Sequence, residues 1–402
     1  MKIRTVHRAL MGALATAALT ATALTAPAAA AAGGGADGHT ATRAAMRAQV
    51  EAGVPGVLGQ VRDEDGVWRG SAGVADTRTG RPRLAEDRFR VGSITKAFVS
   101  VVLLQQEAEG KLSLDDNVEH WLPGVVRGNG NDGSKVTVRR LLNHTSGIYN
   151  YTDDPAMRER LTKGFFENRY RTYTPGQLVG IAMEHRPDFR PGEGWRYSNT
   201  NYVLAGMIAE KVSGRSYASE IERRILKPLG MRATTLPGTT PTMPAPHGRA
   251  YSKLEEASDA PIHDTTVLNP SWGGAAGEMI STAGDLNRFY GALLGGRLLA
   301  EPQQRELLTA VPTGEEGGAG YGLGVSTAQL SCGVRVWFHG GGIHGSSSMA
   351  ASTPDGRHTA AFNLNADWTG DLASVVEAEY CGAAARPAAG GSKGLAGLAA
   401  LR

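Results

Sequence analysis

The chain places its strand-like segments at both ends and its helix-like segments in the middle, and this arrangement constrains the fold strongly. Patterns with the helical period fill the region that begins after Ser93. Strands that are distant in sequence must pair to bury their apolar faces. We therefore predict an α+β fold: one antiparallel sheet built from both chain ends and flanked by helices, with an inserted, mainly helical lobe. The predicted strands are 54–61, 67–74, 334–342, 347–352 and 358–364.

The first 32 residues have the pattern of a secretory signal peptide. Lys2, Arg4 and Arg8 precede an apolar stretch, which is followed by small residues typical of a cleavage site. The apolar stretch is short and contains glycine and threonine, so no stable membrane anchor is predicted. We therefore predict a secreted, extracellular protein.

The remaining chain is predicted to form one catalytic domain, residues 33–385, made of two lobes. The sheet lobe takes 40–92 and 275–385, and the helical lobe takes 93–274. The Ala- and Gly-rich segment 386–402 is predicted to be a flexible tail.

The charge balance argues against a nucleic-acid-binding protein. The formal net charge of the whole chain is +3, and removal of a signal peptide that carries three basic residues and no acid brings it to about zero. No nucleic-acid partner is therefore predicted.

The two cysteines of the chain, Cys332 and Cys381, both lie late in the sequence. In an exported protein such a pair indicates one disulfide, and the alternative is two free buried thiols.

A serine and a lysine one helical turn apart form the first chemical candidate. Ser93 and Lys96 stand at the start of an apolar helix pattern, and side chains at i and i+3 share one helix face. A serine needs an adjacent base to become a nucleophile. A lysine can be that base only where burial or a neighbouring cation lowers its pKa.

Two later segments add groups suited to the same chemistry. Tyr197 and Asn199 lie in a turn that opens a helix, where a phenol can relay a proton and an amide can bond a carbonyl. His339 is followed by Gly340 and Gly341 at the end of a predicted strand, where glycines let a substrate backbone approach the edge.

These three segments, in this order, resemble the serine penicillin-recognising enzymes, which include class C β-lactamases and the secreted D-alanyl-D-alanine carboxypeptidases of actinomycetes. The resemblance covers about residues 40–382 and implies a β-lactamase/transpeptidase-like fold. It extends to the flanking stretches 89–93, 142–147, 197–202, 271–272 and 321–324. It also implies a Cys332–Cys381 bridge.

The resemblance implies a role for each matching residue. Ser93 attacks a carbonyl and forms an acyl-enzyme, and Lys96 takes its proton or tunes the base. Tyr197 passes the proton to the leaving group, and Asn199 positions the substrate and the lysine. His339 replaces the lysine that is more usual in the family.

The resemblance also implies where the substrate lies. The backbone N–H groups of Ser93 and Gly342 would form the oxyanion hole, and Gly340 and Gly341 would border the substrate. Trp272 is expected to line the cleft.

Two departures from the family pattern affect the expected substrate. Gly340 and Gly342 stand where the actinomycete carboxypeptidases have threonine. The arginine that holds their substrate's carboxylate is replaced by Ser326 and Thr327, with Arg335 as a possible substitute. A charge-assisted contact of this kind contributes about 1.5–3 kcal/mol.

Several other candidates are assigned no chemistry. His144 is interpreted as a structural loop residue, and the match to G-x-S-x-G at 390–394 as a coincidence in the tail. The ten histidines show no local ligand spacing, so neither a metal nor a cofactor is predicted.

We predict a monomeric, secreted serine hydrolase that acts as a D-alanyl-D-alanine carboxypeptidase on peptidoglycan stem peptides. The alternatives are an esterase, a β-lactamase or a D-amino-acid peptidase on the same scaffold, or a penicillin-binding sensor without turnover. In each case the partner is a small peptide, ester or β-lactam.

Overall fold

The computed structural model describes residues 38–255, 257–314 and 319–382. The predicted signal peptide, 1–32, and the predicted tail, 386–402, lie outside the described residues. Among the described residues, no helix has both the length and the apolar character that a membrane span needs.

A nine-stranded antiparallel sheet forms the centre of the fold, in the order β10-β11-β12-β13-β14-β15-β1-β2-β3. Strand β15, from the end of the chain, pairs directly with β1, from its start. This confirms the predicted sheet assembled from both chain ends. The strands are β1 (Gly56–Asp63), β2 (Gly66–Asp76), β3 (Arg81–Pro82), β4 (Phe89–Arg90), β5 (Arg127–Gly128), β6 (Asn131–Asp132), β7 (Tyr251–Ser252), β8 (His263–Asp264), β9 (Ile280–Ser281), β10 (Val311–Pro312), β11 (Gly320–Tyr321), β12 (Ser326–Gln329), β13 (Arg335–Ile343), β14 (Ser346–Ser352) and β15 (Thr359–Leu364).

Most helices lie between the two groups of sheet strands, as the sequence pattern predicts, and several begin and end at recognisable local signals. Thr174 and Gln177 cap each other's backbone N–H groups, and Pro175 takes the first position of its helix. The helices are α1 (Thr40–Glu51), α2 (Thr95–Ala108), α3 (Val118–Trp121), α4 (Val138–Leu142), α5 (Pro155–Leu161), α6 (Phe165–Asn168), α7 (Pro175–Met183), α8 (Asn199–Ser213), α9 (Tyr217–Ile221), α10 (Lys227–Leu229), α11 (Ala283–Leu294), α12 (Glu301–Leu307) and α13 (Leu372–Cys381).

Residues 217–229 do not form one continuous α-helix. A π-helical turn, Glu222–Leu226, separates α9 from α10. Pro228 lies in α10, has no N–H to donate and crowds the preceding turn. The wider π-helical turn relieves that conflict.

The central sheet buries a separate apolar core on each of its faces. Val336 and Phe338 of β13 face the core that α1 and α13 cover. Trp337, between them, faces the opposite core, which α11 covers and which continues into α2. Because α2 is apolar around most of its circumference, it is buried deeply and carries its first turn into the interior.

A disulfide joins Cys332, in the turn before β13, to Cys381 at the end of α13, with the two Cα atoms 5.6 Å apart. The predicted pairing is therefore confirmed, and the alternative of two free thiols is excluded.

Candidate active site

The predicted nucleophile lies in a tight turn of backbone. Ser93 belongs to one 3-10 turn, Gly92–Ile94, that leads directly into α2. Gly92 has a φ of +53°, and a Cβ built on it would lie 2.8 Å from the backbone nitrogen and oxygen of Gly342. Only glycine fits this conformation and this close approach. The turn therefore holds Ser93 beside β13.

Lys96 is completely buried, and three oxygen atoms surround its amine. Nζ lies 2.9 Å from Ser93 Oγ, 2.7 Å from Asn199 Oδ1 and 2.8 Å from the carbonyl oxygen of Ala276. Burial holds the pKa of Lys96 well below its usual value, because the charged form loses its hydration. The amine is therefore much more readily neutral than an exposed lysine.

These contacts orient a neutral amine toward the serine. A neutral amine has two N–H donors and one lone pair, and the oxygens of Asn199 and Ala276 can only accept. If both N–H groups serve those two oxygens, the lone pair faces Ser93 and accepts its O–H. This is the arrangement that general-base activation of a serine requires.

Asn199, the first residue of α8, is held in one orientation. Its Nδ2 donates to Thr152 Oγ1 at 3.2 Å, and its backbone N–H donates to Asn150 Oδ1 at 3.0 Å. The amide oxygen is therefore the atom presented to Lys96. The structure thus brings Ser93, Lys96 and Asn199 together as predicted.

Tyr197 lies over the lysine amine, with Nζ 4.7 Å from the centre of its ring. Burial raises the pKa of Tyr197, and Ser93 only partly opposes this effect. The phenol is therefore protonated at neutral pH. Its hydroxyl has no hydrogen bond of normal geometry to a described residue, so it is free to bond to an incoming group. This state suits a proton donor rather than a base.

His339 is a neutral imidazole whose two nitrogens are both engaged. Nε2 lies 2.8 Å from the hydroxyl of Tyr321, and Nδ1 faces the carbonyl oxygen of Gly340. Since that carbonyl can only accept, Nδ1 carries the proton and the tyrosine donates to Nε2. Burial, with a smaller effect of Lys96, lowers the pKa of His339 to about 3. Tyr321 was not assigned a role from the sequence, although it belongs to a family-like stretch.

Among the described strands, none pairs with one edge of the second half of β13, which is called the free edge below. Strand β12 pairs with β13 only as far as Phe338, whereas β14 follows it through to Ile343. Gly340, Gly341 and Gly342 all lie in this half, as predicted. A Cβ on Gly341 would lie 1.9 Å from the carbonyl oxygen of Val91, so only glycine lets β13 lie against the Ser93 turn. The free edge offers backbone groups to an extended substrate.

His144 packs against the tyrosine instead of joining the reacting groups. Its ring centre lies 4.3 Å from that of Tyr197, and its Nδ1 accepts the backbone N–H of Ser198 at 3.2 Å. Its φ is +62°, which is unusual outside glycine. These contacts position the loop that presents Tyr197 and Asn199.

Trp272 lies near the end of β13. Its ring is edge-on to His344 at 5.4 Å, and its carbonyl oxygen accepts the hydroxyl of Tyr151. It also packs against the small apolar cluster of Phe165, Leu268 and Ile343, and Ile343 follows Gly342 in the chain. The position is consistent with a residue that borders the cleft.

The place of the family's carboxylate-binding arginine holds uncharged groups. Ser326 and Thr327 are buried in β12, and the Thr327 hydroxyl donates to the carbonyl oxygen of Val336. Arg335 shares the face of His339 but stands four residues away, about 13 Å along an extended strand. Neither position provides a cation beside the serine.

Three comparisons identify similar proteins. A family model described as Beta-lactamase matches residues 41–376. The chain is 57% identical to a D-stereospecific amidohydrolase from Streptomyces sp., with a TM-score of 0.83 over 86% of this chain and 99% of that one. It is 25% identical to a D-amino acid amidase from Ochrobactrum anthropi, with a TM-score of 0.74 over 86% of this chain and 98% of that one. It is also 28% identical over 317 residues to Penicillin-binding protein 4* of Bacillus subtilis. The matched region spans 75% of this chain and 66% of that protein.

Proposed function

Because this chain belongs to the beta-lactamase family and is a serine hydrolase, we propose that it hydrolyses amides and esters of D-amino acids through an acyl-enzyme on Ser93. The observation that carries the proposal is the buried Lys96 amine, which has two carbonyl-type acceptors and a third contact to the serine hydroxyl. Such a lysine can take the serine proton at neutral pH.

The proposed reaction uses the site groups in sequence. Ser93 Oγ attacks the substrate carbonyl while Lys96 takes its proton. The negative oxygen that forms is stabilised by the backbone N–H groups of Ser93 and Gly342, each worth about 10²–10³ in rate. Tyr197 gives its proton to the leaving amine or alcohol and takes one from the Lys96 ammonium, so both groups return to their starting states. Water then attacks the acyl-enzyme and gives a proton to Lys96, which passes it to Ser93 Oγ as the acid leaves.

The relatives support the D-amino-acid substrate class. The Streptomyces protein is named a D-stereospecific amidohydrolase, and the Ochrobactrum protein a D-amino acid amidase. Both are covered almost completely by this chain. An amide or ester leaving group needs no carboxylate receptor, which agrees with the uncharged Ser326 and Thr327.

The D-alanyl-D-alanine carboxypeptidase predicted from the sequence is the second candidate. It is favoured by the similarity to Penicillin-binding protein 4*, of which this chain spans just under two thirds. That reaction leaves a free D-alanine, whose carboxylate the enzyme must recognise. The distance of Arg335 from His339 weighs against it.

The test compares substrates that differ only at the leaving group or the stereocentre. Purified protein is mixed with the amide and the methyl ester of D-phenylalanine, with their L enantiomers, with an N-acylated D-Ala-D-Ala peptide and with nitrocefin. We expect hydrolysis of the D-amide and D-ester at least tenfold faster than that of the L forms, and none by Ser93→Ala. Release of D-alanine as the only activity would refute the amidase and support the carboxypeptidase.

Intact mass measurement after exposure to penicillin separates the remaining alternatives. A stable adduct on the wild-type protein, without turnover of any substrate in the panel, would support the penicillin-binding sensor. A transient adduct that is absent in Ser93→Ala supports the proposed nucleophile.

Secretion is also proposed, on the basis of the signal-peptide pattern in residues 1–32. The N-terminal sequence of the protein recovered from culture medium tests it. A chain that stays inside the cell and starts at Met1 would contradict it.

A further inference from the structure

Four segments that are distant in sequence converge on one buried carboxylate, away from the candidate active site. Glu379 in the last turn of α13 has a side chain only 2% exposed. His39 and Thr42 approach it from the start of α1, and His358 approaches it from the loop before β15. Asp63, the last residue of β1, lies on the far side of His39.

The distances form a compact set of nitrogen and oxygen ligands. His39 Nδ1 lies 3.1 Å from Glu379 Oε2, and His39 Nε2 lies 3.5 Å from Asp63 Oδ2. One ligand atom from each of these three residues lies within 4.8 Å of the others. His358 Nε2 lies 2.8 Å from the other oxygen of Glu379.

The contact between His39 and Asp63 is not closed by a hydrogen bond of normal length. His39 Nδ1 makes a hydrogen bond with Glu379 Oε2, whereas the 3.5 Å between Nε2 and Asp63 Oδ2 exceeds the usual range. Two carboxylates therefore lie beside one imidazole without a full set of hydrogen bonds. One ion bound by both carboxylates and by one nitrogen of the ring would neutralise their charge.

We propose that His39, Asp63 and Glu379 bind a divalent transition metal ion of the zinc type, with His358 as a fourth ligand or as the group that orients Glu379. Zinc prefers nitrogen and carboxylate ligands in a tetrahedral arrangement, with ligand bonds of about 2.0–2.2 Å. Ligand atoms around such an ion are about 3.4 Å apart. The three ligand atoms lie within 4.8 Å of one another. Nδ1 of His39 now faces Glu379 at 3.1 Å and Nε2 faces Asp63 at 3.5 Å, so the ring must turn until one nitrogen faces both carboxylates for the ion to bind.

The proposed ion would act as a structural clasp. It would connect the first described helix, α1, to the last, α13, and both to the β1–β2 hairpin. These helices cover the face of the sheet opposite the core that continues into α2. The proposal is therefore independent of the proposed hydrolase reaction, and hydrolysis is not its readout.

The test is calorimetric titration of Zn²⁺ into protein produced without a polyhistidine tag and freed of metal with a chelator that is then removed. We expect one ion per chain and a higher Tm with zinc than without. Glu379→Gln and Asp63→Asn should each weaken binding at least tenfold. His120→Gln is the matched control, because His120 is an exposed histidine outside the cluster and its loss should change nothing.

Anomalous scattering at the zinc edge gives the position of the ion in crystals grown with zinc. A peak between His39 and Glu379 supports the proposal. A wild-type protein that binds no zinc at pH 8, or an isotherm that both variants leave unchanged, would overturn it. The cluster would then be a purely structural network of hydrogen bonds. Asp63 ends an exposed hairpin, so its variant remains informative if Glu379→Gln fails to fold.

Discussion

Replacement of the buried lysine by methionine tests the chemistry of the site most directly. Methionine has a similar length and no titratable group, so Lys96→Met keeps the packing and removes the amine. A positioned base contributes about 10²–10⁴ in rate, so kcat/KM for a D-amino acid ester should fall by that factor, which is about 3–5 kcal/mol in the barrier. The acid limb of the pH–rate profile should disappear with it.

The same substitution also predicts how the free energy of unfolding should change with pH. Burial lowers the pKa of Lys96 in the folded protein, whereas in the unfolded chain the pKa returns to about 10.4. Between these two values the unfolded chain binds more protons, so the free energy of unfolding of the wild type rises with pH. The slope is about 1.4 kcal/mol per pH unit. Below the lowered pKa both states are protonated and the slope disappears.

Urea unfolding of both proteins between pH 7 and pH 10 measures this effect. The difference in free energy of unfolding, Lys96→Met minus wild type, should fall as pH rises through the window. Other titrating groups cancel in that difference. Lys163→Met, at an exposed lysine, is the matched control and should show no such trend. A difference for Lys96→Met that does not change with pH would refute the buried, proton-poor amine and with it the proposed base.

Three further predictions follow from the contacts around the site and the fold. Gly341→Ala should lower both Tm and kcat/KM, because its Cβ would meet backbone at 1.9 Å, whereas Gly176→Ala, with open space around it, should leave both nearly unchanged in thermal melts and ester assays. Tyr321→Phe should cost about 1 kcal/mol of stability and lower kcat/KM. Its pH–rate profile should show no new ionisation above pH 5, because burial still keeps His339 neutral; full activity would show that the bond to the histidine is not needed. The double variant Cys332→Ser/Cys381→Ser, which opens a link across 49 residues, should lose about 2–4 kcal/mol of stability in urea and keep its activity at 25 °C; an unchanged Cm would contradict this.

Local patterns predicted much of the fold because their physical causes lie within a few residues. Along α1, Thr40–Glu51, buried residues recur with the helical period, and Thr174 caps α7 through its own side chain. The contact of Ser93 with Lys96 follows from helix geometry, since three residues make nearly one turn. The sequence pattern does not indicate the π-helical turn, because such a turn depends on how Pro228 packs within the folded helix.

The sequence by itself determined the order of the elements, the hairpin at the start and the types of side chain available for chemistry. Tertiary structure alone decided how those side chains behave. The low pKa of Lys96 depends on complete burial, and its orientation depends on a carbonyl at Ala276, where the side chain gives no signal. The neutral state of His339 depends on burial and its orientation on Tyr321, and the cluster at Glu379 draws on residues more than three hundred positions apart. Desolvation and long-range contacts exist only once the chain has closed, so no local pattern records them.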